Sequence, residues 1–476
     1  MVVWFLAYQP TPAGARTVTF LHSFTGGTND AAHLLGSPTS SGDTLFGVAR
    51  GGGTNNQGVV FSVSTNGADV QILHSFSGSG EDGCCPDGSV VLGGDTLYGT
   101  AGFPDNGLIF SVGTNGANFQ VLHDLEGGNN DGAEPFQSTS LILVGDTLYG
   151  VTLDGGTNND GVIYSITTNA ANFQVLHSFT GGSDGRGPDA PLTPTGDTLF
   201  GVTPPAGGAD QGVIFAVSTN GTGFQVLHTF TGGADGSFPG PVTVVDSMLF
   251  GLTQKGGGSQ SNGTLYAINM DGTGFHVLHT VGAIGDDAND TGTGLTLVDG
   301  SLYGTSSEGG ANGLGTIFSI STNGLGYGIV YSFANGSGNG LFPSPYSSLT
   351  LVGTNLFGFT DQGGTSDLGT VFMLDLGAGG SVPPSSSLVT VVFSNVEQTC
   401  KDKTKGTSTT TNCTVTADIV ITNAGVTNTP AFTVALFVGQ GSVFDDGVGP
   451  FPSFKKMKAL KKGKRPSRKV NRPRSN

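Results

Sequence analysis

The stretch GDTLYG, from Gly145 to Gly150, decides the fold because its last three letters, Leu-aromatic-Gly, return at a steady interval. The closing glycines of the copies are Gly47, Gly99, Gly150, Gly201, Gly251, Gly304 and Gly358. Successive glycines lie 52, 51, 51, 50, 53 and 54 residues apart. A repeat of this length that contains several short apolar runs predicts a β-propeller.

Each repeat contains four short segments of alternating apolar residues, which we name a, b, c and d from the central channel outward. The LYG run is b, GVIYSI from Gly161 to Ile166 is a typical c, and VLHSF from Val175 to Phe179 is a typical d. Gly-Asp turns join a to b, and Asn-Gly turns join c to d, because both pairs accept tight hairpin geometry. The longer b–c and d–a loops therefore share the opposite face, where we expect any function.

The two ends of the repeat region indicate how the propeller closes. The chain enters the repeats at residues 17–24 with a lone d segment and leaves them at residues 369–373 with a c segment that lacks its d. We predict an all-β fold in which residues 17–376 form seven blades and the N-terminal strand closes the last one, which removes exposed sheet edges. Residues 1–16 precede it, either as the remnant of a secretory signal or as a frayed terminus.

The repeated words together resemble a known family. The order LYG, GG, GxVFSVxTNG and VLHSFxGGxDGxxP is similar to the Gloeobacter–Verrucomicrobia (GloVer) tandem repeat over about residues 17–376. The resemblance implies exported or surface bacterial proteins, often with a C-terminal anchoring segment, and no general enzymatic activity. The strand order also resembles kelch blades, although this chain has its only tryptophan at Trp4, outside the repeats.

Charge is divided between the two parts of the chain. Residues 1–380 carry four basic and 30 acidic residues, a balance of −26, whereas residues 381–476 carry 14 basic and five acidic residues, a balance of +9. An acidic body repels nucleic acid and anionic membranes, so we expect no nucleic-acid partner. No apolar run reaches the ~18–20 residues of a membrane-spanning helix. We expect an exported monomer with a polysaccharide or protein ligand.

Two residue types in the repeat could carry chemistry. Histidine recurs in segment d, which favours a shared packing role, such as a hydrogen bond between blades, over catalysis. Aspartate recurs in the d–a loop motif DGxxP, where we expect the carboxylates to surround the channel mouth. They could bind Ca²⁺ or a cationic ligand, or each could cap the backbone of its own turn. The candidate ligand-binding residues are Asp82, Asp131, Asp184 and Asp235.

We assign no catalytic residue, no metal site and no cofactor, with calcium as the one alternative. The predicted function is a non-enzymatic binding or display protein, outside the cell or on its surface. The alternative is a propeller enzyme, a glycan lyase or hydrolase, with its site on the long-loop face. Specificity should lie where the repeats disagree, around Cys84-Cys85 and from Asp286 to Gly294. Cys84 and Cys85 form either a disulfide between neighbours or two free thiols.

The remainder of the chain predicts a second module. Residues 377–387 form a Pro- and Ser-rich linker, 388–452 a partial immunoglobulin-like sandwich, and 453–476 a basic tail. Cys400 and Cys413 flank a polar hairpin loop that a disulfide would close. The tail is either solvated, or a binder of anionic surfaces, or part of an edge strand.

Overall fold

The computed structural model describes a propeller and the backbone of a C-terminal hairpin. Its residues are 16–79, 81–102, 106–135, 140–205, 211–258, 262–282, 287–289, 291–336, 339–343 and 347–377, with the backbone alone for 389–405 and 408–423. Antiparallel sheets of four main strands form the seven blades, and the all-β prediction is confirmed. Within these residues there is no helix with the length and apolar character that crossing a bilayer requires.

The strands follow the predicted order in each blade. Strand a is Ala31–Ser41, Val91–Gly93, Ile142–Val144, Thr193–Thr195, Thr243–Val245, Thr296–Val298 and Thr350–Val352. Strand b is Thr44–Gly52, Thr96–Gly102, Thr147–Thr152, Thr198–Thr203, Met248–Lys255, Ser301–Ser306 and Asn355–Gly363. Strand c is Val59–Ser64, Leu108–Gly113, Val162–Thr167, Val213–Ser218, Thr264–Asn269, Thr316–Ser321 and Thr370–Asp375.

Strand d is the outermost strand of each sheet. In blades 1 to 6 it is Gln71–Ser75, Gln120–Asp124, Gln174–Ser178, Gln225–Thr229, His276–Thr280 and Gly328–Ser332. The strand Val18–Ser23 pairs with Thr370–Asp375, in the d position of blade 7. Shorter strands lie in the linkers and loops between these elements: Cys84–Pro86, Gly132–Ala133, Asp154–Gly155, Ser237–Pro239, Ala288–Asn289, Glu308–Gly309 and Gly340–Pro343.

Threonine hydroxyls connect the innermost strands from blade to blade. Thr193 Oγ1 donates to the carbonyl of Val242 at 2.6 Å, and Thr296 Oγ1 donates to that of Leu349 at 2.6 Å. Thr350 Oγ1 donates in the same way to the carbonyl of Pro38, which lies in blade 1. The inner strand of the last blade therefore meets the inner strand of the first.

The LYG motif owes its glycine to a close approach between strands b and c. Gly201 lies opposite Phe215 in the sheet, and a Cβ added there would stand 2.4 Å from the Phe215 ring. The aromatic residue just before the glycine turns to the other face, where Phe200 packs against Leu249 and Tyr266 of the next blade. The core thus lies between adjacent blades, and the motif serves packing.

The C-terminal unit is separate from the propeller. Its described backbone is a long hairpin, Val389–Lys405 paired with Ser408–Asn423. The loop expected over Lys401–Asn412 is therefore much shorter, because the strands pair up to Lys405 and Ser408. Cys400 and Cys413 are direct register partners in this hairpin. The part of the predicted sandwich after residue 423 and the basic tail, 453–476, lie outside the described residues.

Candidate functional site

The repeated histidines and aspartates, which belong to different sequence motifs, form pairs with one another. Each histidine of strand d directs Nε2 to the aspartate of the linker that follows. The hydrogen-bonded pairs are His123–Asp131 at 3.0 Å, His74–Asp82 and His177–Asp184 at 3.2 Å, and His279–Asp287 at 3.3 Å. His228–Asp235 at 3.4 Å and His22–Asp30 at 3.6 Å are looser contacts of the same kind.

The face of each imidazole meets the next blade. The His177 ring stacks on Phe224 with centroids 3.7 Å apart and planes 3° from parallel. The same stack recurs in the pairs His74–Phe119, His123–Phe173, His228–Phe275 and His279–Tyr327. The prediction of a hydrogen bond between blades is wrong in kind, because the ring face makes the contact between blades and the ring edge binds the linker.

The aspartates cap the linker backbone. Asp131 accepts the backbone N–H of Glu126 at 3.0 Å through one oxygen and that of Gly132 at 2.7 Å through the other. The capping alternative is confirmed here. The carboxylates lie beside the outermost strands and not around the channel mouth as expected, because the strand d histidines hold them there. Their role as ligand-binding residues stays a prediction.

Burial sets the protonation of these pairs. Burial lowers the pKa of His177, and the hydrogen bond and charge of Asp184 offset that effect only in part. Burial alone would raise the pKa of Asp287, but hydrogen bonds from His279 and Tyr327 hold it below its ordinary value. The lowered pKa of His177 keeps its imidazole neutral at neutral pH, and the lowered pKa of Asp287 keeps its carboxylate ionised. In the described part of the chain, no three His, Cys, Asp or Glu side chains are grouped as a metal site.

The linkers share a second feature, which was not predicted from the sequence. The residue before the proline of DGxxP, or at the equivalent place, has a left-handed backbone, with φ between 50° and 58°. In the described linkers these residues are His33, Cys85, Glu134, Gly187, Phe238 and Phe342. Their N–H groups bind the previous blade, as in Glu134 to the carbonyl of Asn106 at 2.7 Å. Only Gly187 hinted at this backbone in the sequence.

The region around Cys84 departs most from the repeat. Cys84 and Cys85 form a disulfide, so the first of the two predicted alternatives holds. Arg50 of blade 1 forms an ion pair with Asp87, whose side chain is only 3% exposed. In blade 4, burial raises the pKa of Asp189 to about 7. Asp87 and Asp189 both follow the proline of DGxxP, where the other two linkers with this motif have Phe136 and Gly240.

The short-turn face contributes one feature of its own. A polar cavity of about 450 Å³ lies in blade 2 between the a–b and c–d turns. Asp95, Asn115, Asn118 and Gln120 line it, together with Thr168 of blade 3. The cavity was not predicted, because each of these residue types is common in a turn.

Comparison with known proteins places the chain in a family. The model of the Gloeobacter/Verrucomicrobia repeat matches residues 6–211 and again residues 206–414. The chain therefore belongs to this repeat family, as its motifs suggested. No curated protein matches it.

Several solved structures share features of its fold. A puromycin-hydrolysing peptidase of Mycobacterium tuberculosis is 12% identical, with a TM-score of 0.48 over 76% of this chain and 56% of the peptidase. TolB of Acinetobacter baumannii is 12% identical, with a TM-score of 0.36 over 62% of this chain and 61% of TolB. A nidogen/laminin complex is 15% identical, with a TM-score of 0.34 over 50% of this chain and 77% of the other. The chain spans less than two thirds of the peptidase and of TolB, and these likenesses assign it no activity.

Proposed function

We propose that this chain is a non-enzymatic binding or display protein, exported or on the cell surface, with a polysaccharide or protein as its ligand. One observation carries the proposal: the linkers hold different side chains on one repeated left-handed backbone. The backbone is the same from blade to blade, but the residue changes from His33 to Cys85, Glu134, Phe238 and Phe342. The long-loop face thereby presents variable side chains on a constant frame, which suits recognition.

The strain at these positions supports a role for the side chains. A non-glycine residue in the left-handed region costs about 1 kcal/mol relative to glycine. Gly187 shows that glycine fits the same backbone, so the backbone angle gives no reason for phenylalanine at Phe238. The Phe238 ring is half-buried, and the Lys255 ammonium lies 4.5 Å from its centroid. An aromatic face with a neighbouring cation suits contact with a sugar ring or a protein surface.

The test replaces the side chain without disturbing the backbone. Binding of the wild type and of Phe238→Gly plus Phe342→Gly is measured on a glycan array and against bacterial envelope proteins. We expect the variant to stay folded, since the left-handed backbone suits glycine and offsets part of the lost ring burial, and to lose at least tenfold in affinity. Leu325→Ala is the matched control, because it removes a 54% exposed apolar side chain in a c–d turn. Equal binding by all three proteins contradicts the proposal.

Disulfides support export. The Cys84–Cys85 bond is typical of an oxidising compartment. We extend this to Cys400 and Cys413: directly opposed residues of an antiparallel pair have Cα atoms ~4.5–5.5 Å apart, which a disulfide can bridge. Non-reducing peptide mapping of secreted protein should recover both cross-linked peptides. We also propose that residues 388–452 belong to an immunoglobulin-like surface module and that the blades are kelch-like.

The enzyme alternative has one observation in its favour. A carboxyl group with a pKa of about 7, as burial gives Asp189, has the acidity of a general acid or base at neutral pH. It would make the chain a glycan lyase or hydrolase with its site on the long-loop face. Incubation with a panel of polysaccharides tests this. Release of oligosaccharides by the wild type and not by Asp189→Asn would establish the alternative.

Calcium binding by the linker carboxylates has its own test. Asp131, Asp184 and Asp235 each supply oxygen ligands of the type that Ca²⁺ takes. A bound ion would raise the melting temperature in proportion to the logarithm of its concentration. Thermal melts with millimolar Ca²⁺ and with chelator decide, and identical curves contradict the idea.

A further inference from the structure

The cavity of blade 2 lies at the one c–d hairpin whose strand c ends in a glycine. Gly113 ends strand c where the other hairpins have Ser64, Thr167, Ser218, Asn269 and Ser321. In blade 3 the Thr167 hydroxyl lies inside the hairpin, where it donates to the carbonyl of Ala171 at 2.6 Å. In blade 5 the Asn269 amide donates to Thr273 Oγ1 at 3.0 Å. In blade 2 no side chain projects from this position, and Gly113 lines the opening.

Blade 3 is an internal control for blade 2. Its hairpin repeats the others of the set, with Asn169, Asn172 and Gln174 at the places of Asn115, Asn118 and Gln120. Within the turn the two hairpins differ at one small residue, Ala170 in place of Gly116. The substantial difference is threonine against glycine at Gly113.

The lining has the chemistry of a neutral polyol site. Asp95, Asn118 and Gln120 are exposed, and their side-chain oxygens and nitrogens make no hydrogen bond within the described structure. Asn115 uses its oxygen on the Ala117 N–H at 3.0 Å, which fixes the amide plane and directs its NH₂ group as a donor. Planar groups that donate and accept side by side match the neighbouring hydroxyls of a sugar.

Charge excludes the other small ligands. The described lining contains no lysine or arginine, and the first 380 residues carry a balance of −26, so an anion would be repelled. Asp95 is the single carboxylate among the lining residues, too few for a divalent cation that takes six or more oxygen ligands. The volume of about 450 Å³ lies within the ~300–1,000 Å³ of small-molecule pockets.

We propose that this cavity on the short-turn face binds a neutral sugar unit of a polysaccharide, and that Gly113 in its lining is the residue that distinguishes it from the other hairpins. Asp95 and the amides of Asn118 and Gln120 hold the hydroxyl groups, with Thr168 of blade 3 on the far wall. The site lies away from the linker positions of the long-loop face. Its existence is therefore independent of recognition by that face.

The experiment gives blade 2 the threonine of blade 3 and gives blade 3 the glycine of blade 2. Isothermal titration uses the full chain with neutral gluco-, manno-, galacto- and xylo-oligosaccharides, and polygalacturonate as the anionic probe. The wild type should bind at least one neutral oligosaccharide with one site, and Gly113→Thr should weaken it at least tenfold. Thr167→Gly should add a second site, so that the stoichiometry rises towards two.

Folding is controlled separately. A Cβ at Gly113 would lie 2.8 Å from Asn115 Oδ1 and 2.9 Å from the Ala117 carbonyl, so the hairpin must widen towards the blade 3 geometry. If Gly113→Thr does not fold, Asn118→Ala plus Gln120→Ala replaces it, since both side chains are exposed.

Three results overturn the proposal: no neutral oligosaccharide binds, the anionic probe binds more tightly, or the variants of blade 2 bind as the wild type does. Binding that survives these variants but is lost in Phe238→Gly plus Phe342→Gly assigns the sugar to the long-loop face. The proposed function would then stand while this site would not.

Discussion

The two faces of the propeller use the repeat in opposite ways. On the long-loop face the backbone is repeated and the side chains differ, as at Glu134, Phe238 and Phe342. On the short-turn face the side chains are largely repeated, and blade 2 stands apart because Gly113 lacks one. Between the two faces, the strand b glycines recur because they let strands b and c pack closely. The His–Asp pairs recur because they hold each linker and contact the next blade. The difference teaches that residues repeated in every blade stabilise the fold. Residues that bind a ligand are to be sought where the blades differ.

Filling the space of a repeated glycine should have the largest effect. Gly201→Ala places a Cβ 2.4 Å from the Phe215 ring, and such overpacking costs about 3 kcal/mol in the free energy of unfolding. Urea denaturation measures it. Gly328→Ala is the control, because its Cβ would meet no atom within 4 Å. Equal stability of the two variants would contradict the packing role of the motif.

Removing one histidine should have the next largest effect. His177→Ala loses a ring stack and a hydrogen bond, together about 2 kcal/mol. His276→Ala should change little, because this exposed side chain touches only the Gly274 carbonyl. A double-mutant cycle with Asp184→Asn should show coupling between the pair. If the losses in the free energy of unfolding are simply additive, the contact between His177 and Asp184 contributes nothing to stability.

Opening the disulfide should have a smaller effect. The Cys84–Cys85 bond closes a loop of two residues, for which chain entropy predicts about 1 kcal/mol. The melting temperature of Cys84→Ser plus Cys85→Ser should fall by a few degrees, and reductant should lower the wild type equally. Global unfolding on reduction would contradict this expectation, because it would show that the disulfide stabilises more of the protein than its own linker.

Acidification should weaken the scaffold gradually. Burial lowers the pKa of His74, His177 and His228 below 6.5, so the unfolded chain binds more protons than the folded one at mildly acid pH. The stability that these residues contribute is complete above about pH 6.5 and falls as the pH drops below it. Urea midpoints at pH 7.5 and 5.5 should differ more for the wild type than for a variant with glutamine at all three positions. An unchanged difference would contradict the assignment.

The blades could be predicted from the sequence because the residues that pack between them recur at a regular interval. Leu-aromatic-Gly marks strand b in every repeat, and tight turns mark the hairpins. The His–Asp pairing was not predicted, because seven or eight residues of linker separate the partners. The left-handed positions were not predicted because five residue types share one backbone angle at six positions. The cavity was hidden because Gly113 belongs to a chain with 83 glycines.

One comparison tests the central claim most directly: the affinity of folded protein for its ligand on a glycan and envelope-protein array, in two variants. Asp184→Asn removes the charge of a repeated side chain, and Phe238→Gly plus Phe342→Gly removes two side chains that differ between blades. The account predicts that Asp184→Asn loses stability but keeps its affinity within about twofold, since RT ln 2 is only about 0.4 kcal/mol. The second variant should stay folded and lose at least tenfold in affinity. The opposite outcome would contradict the account.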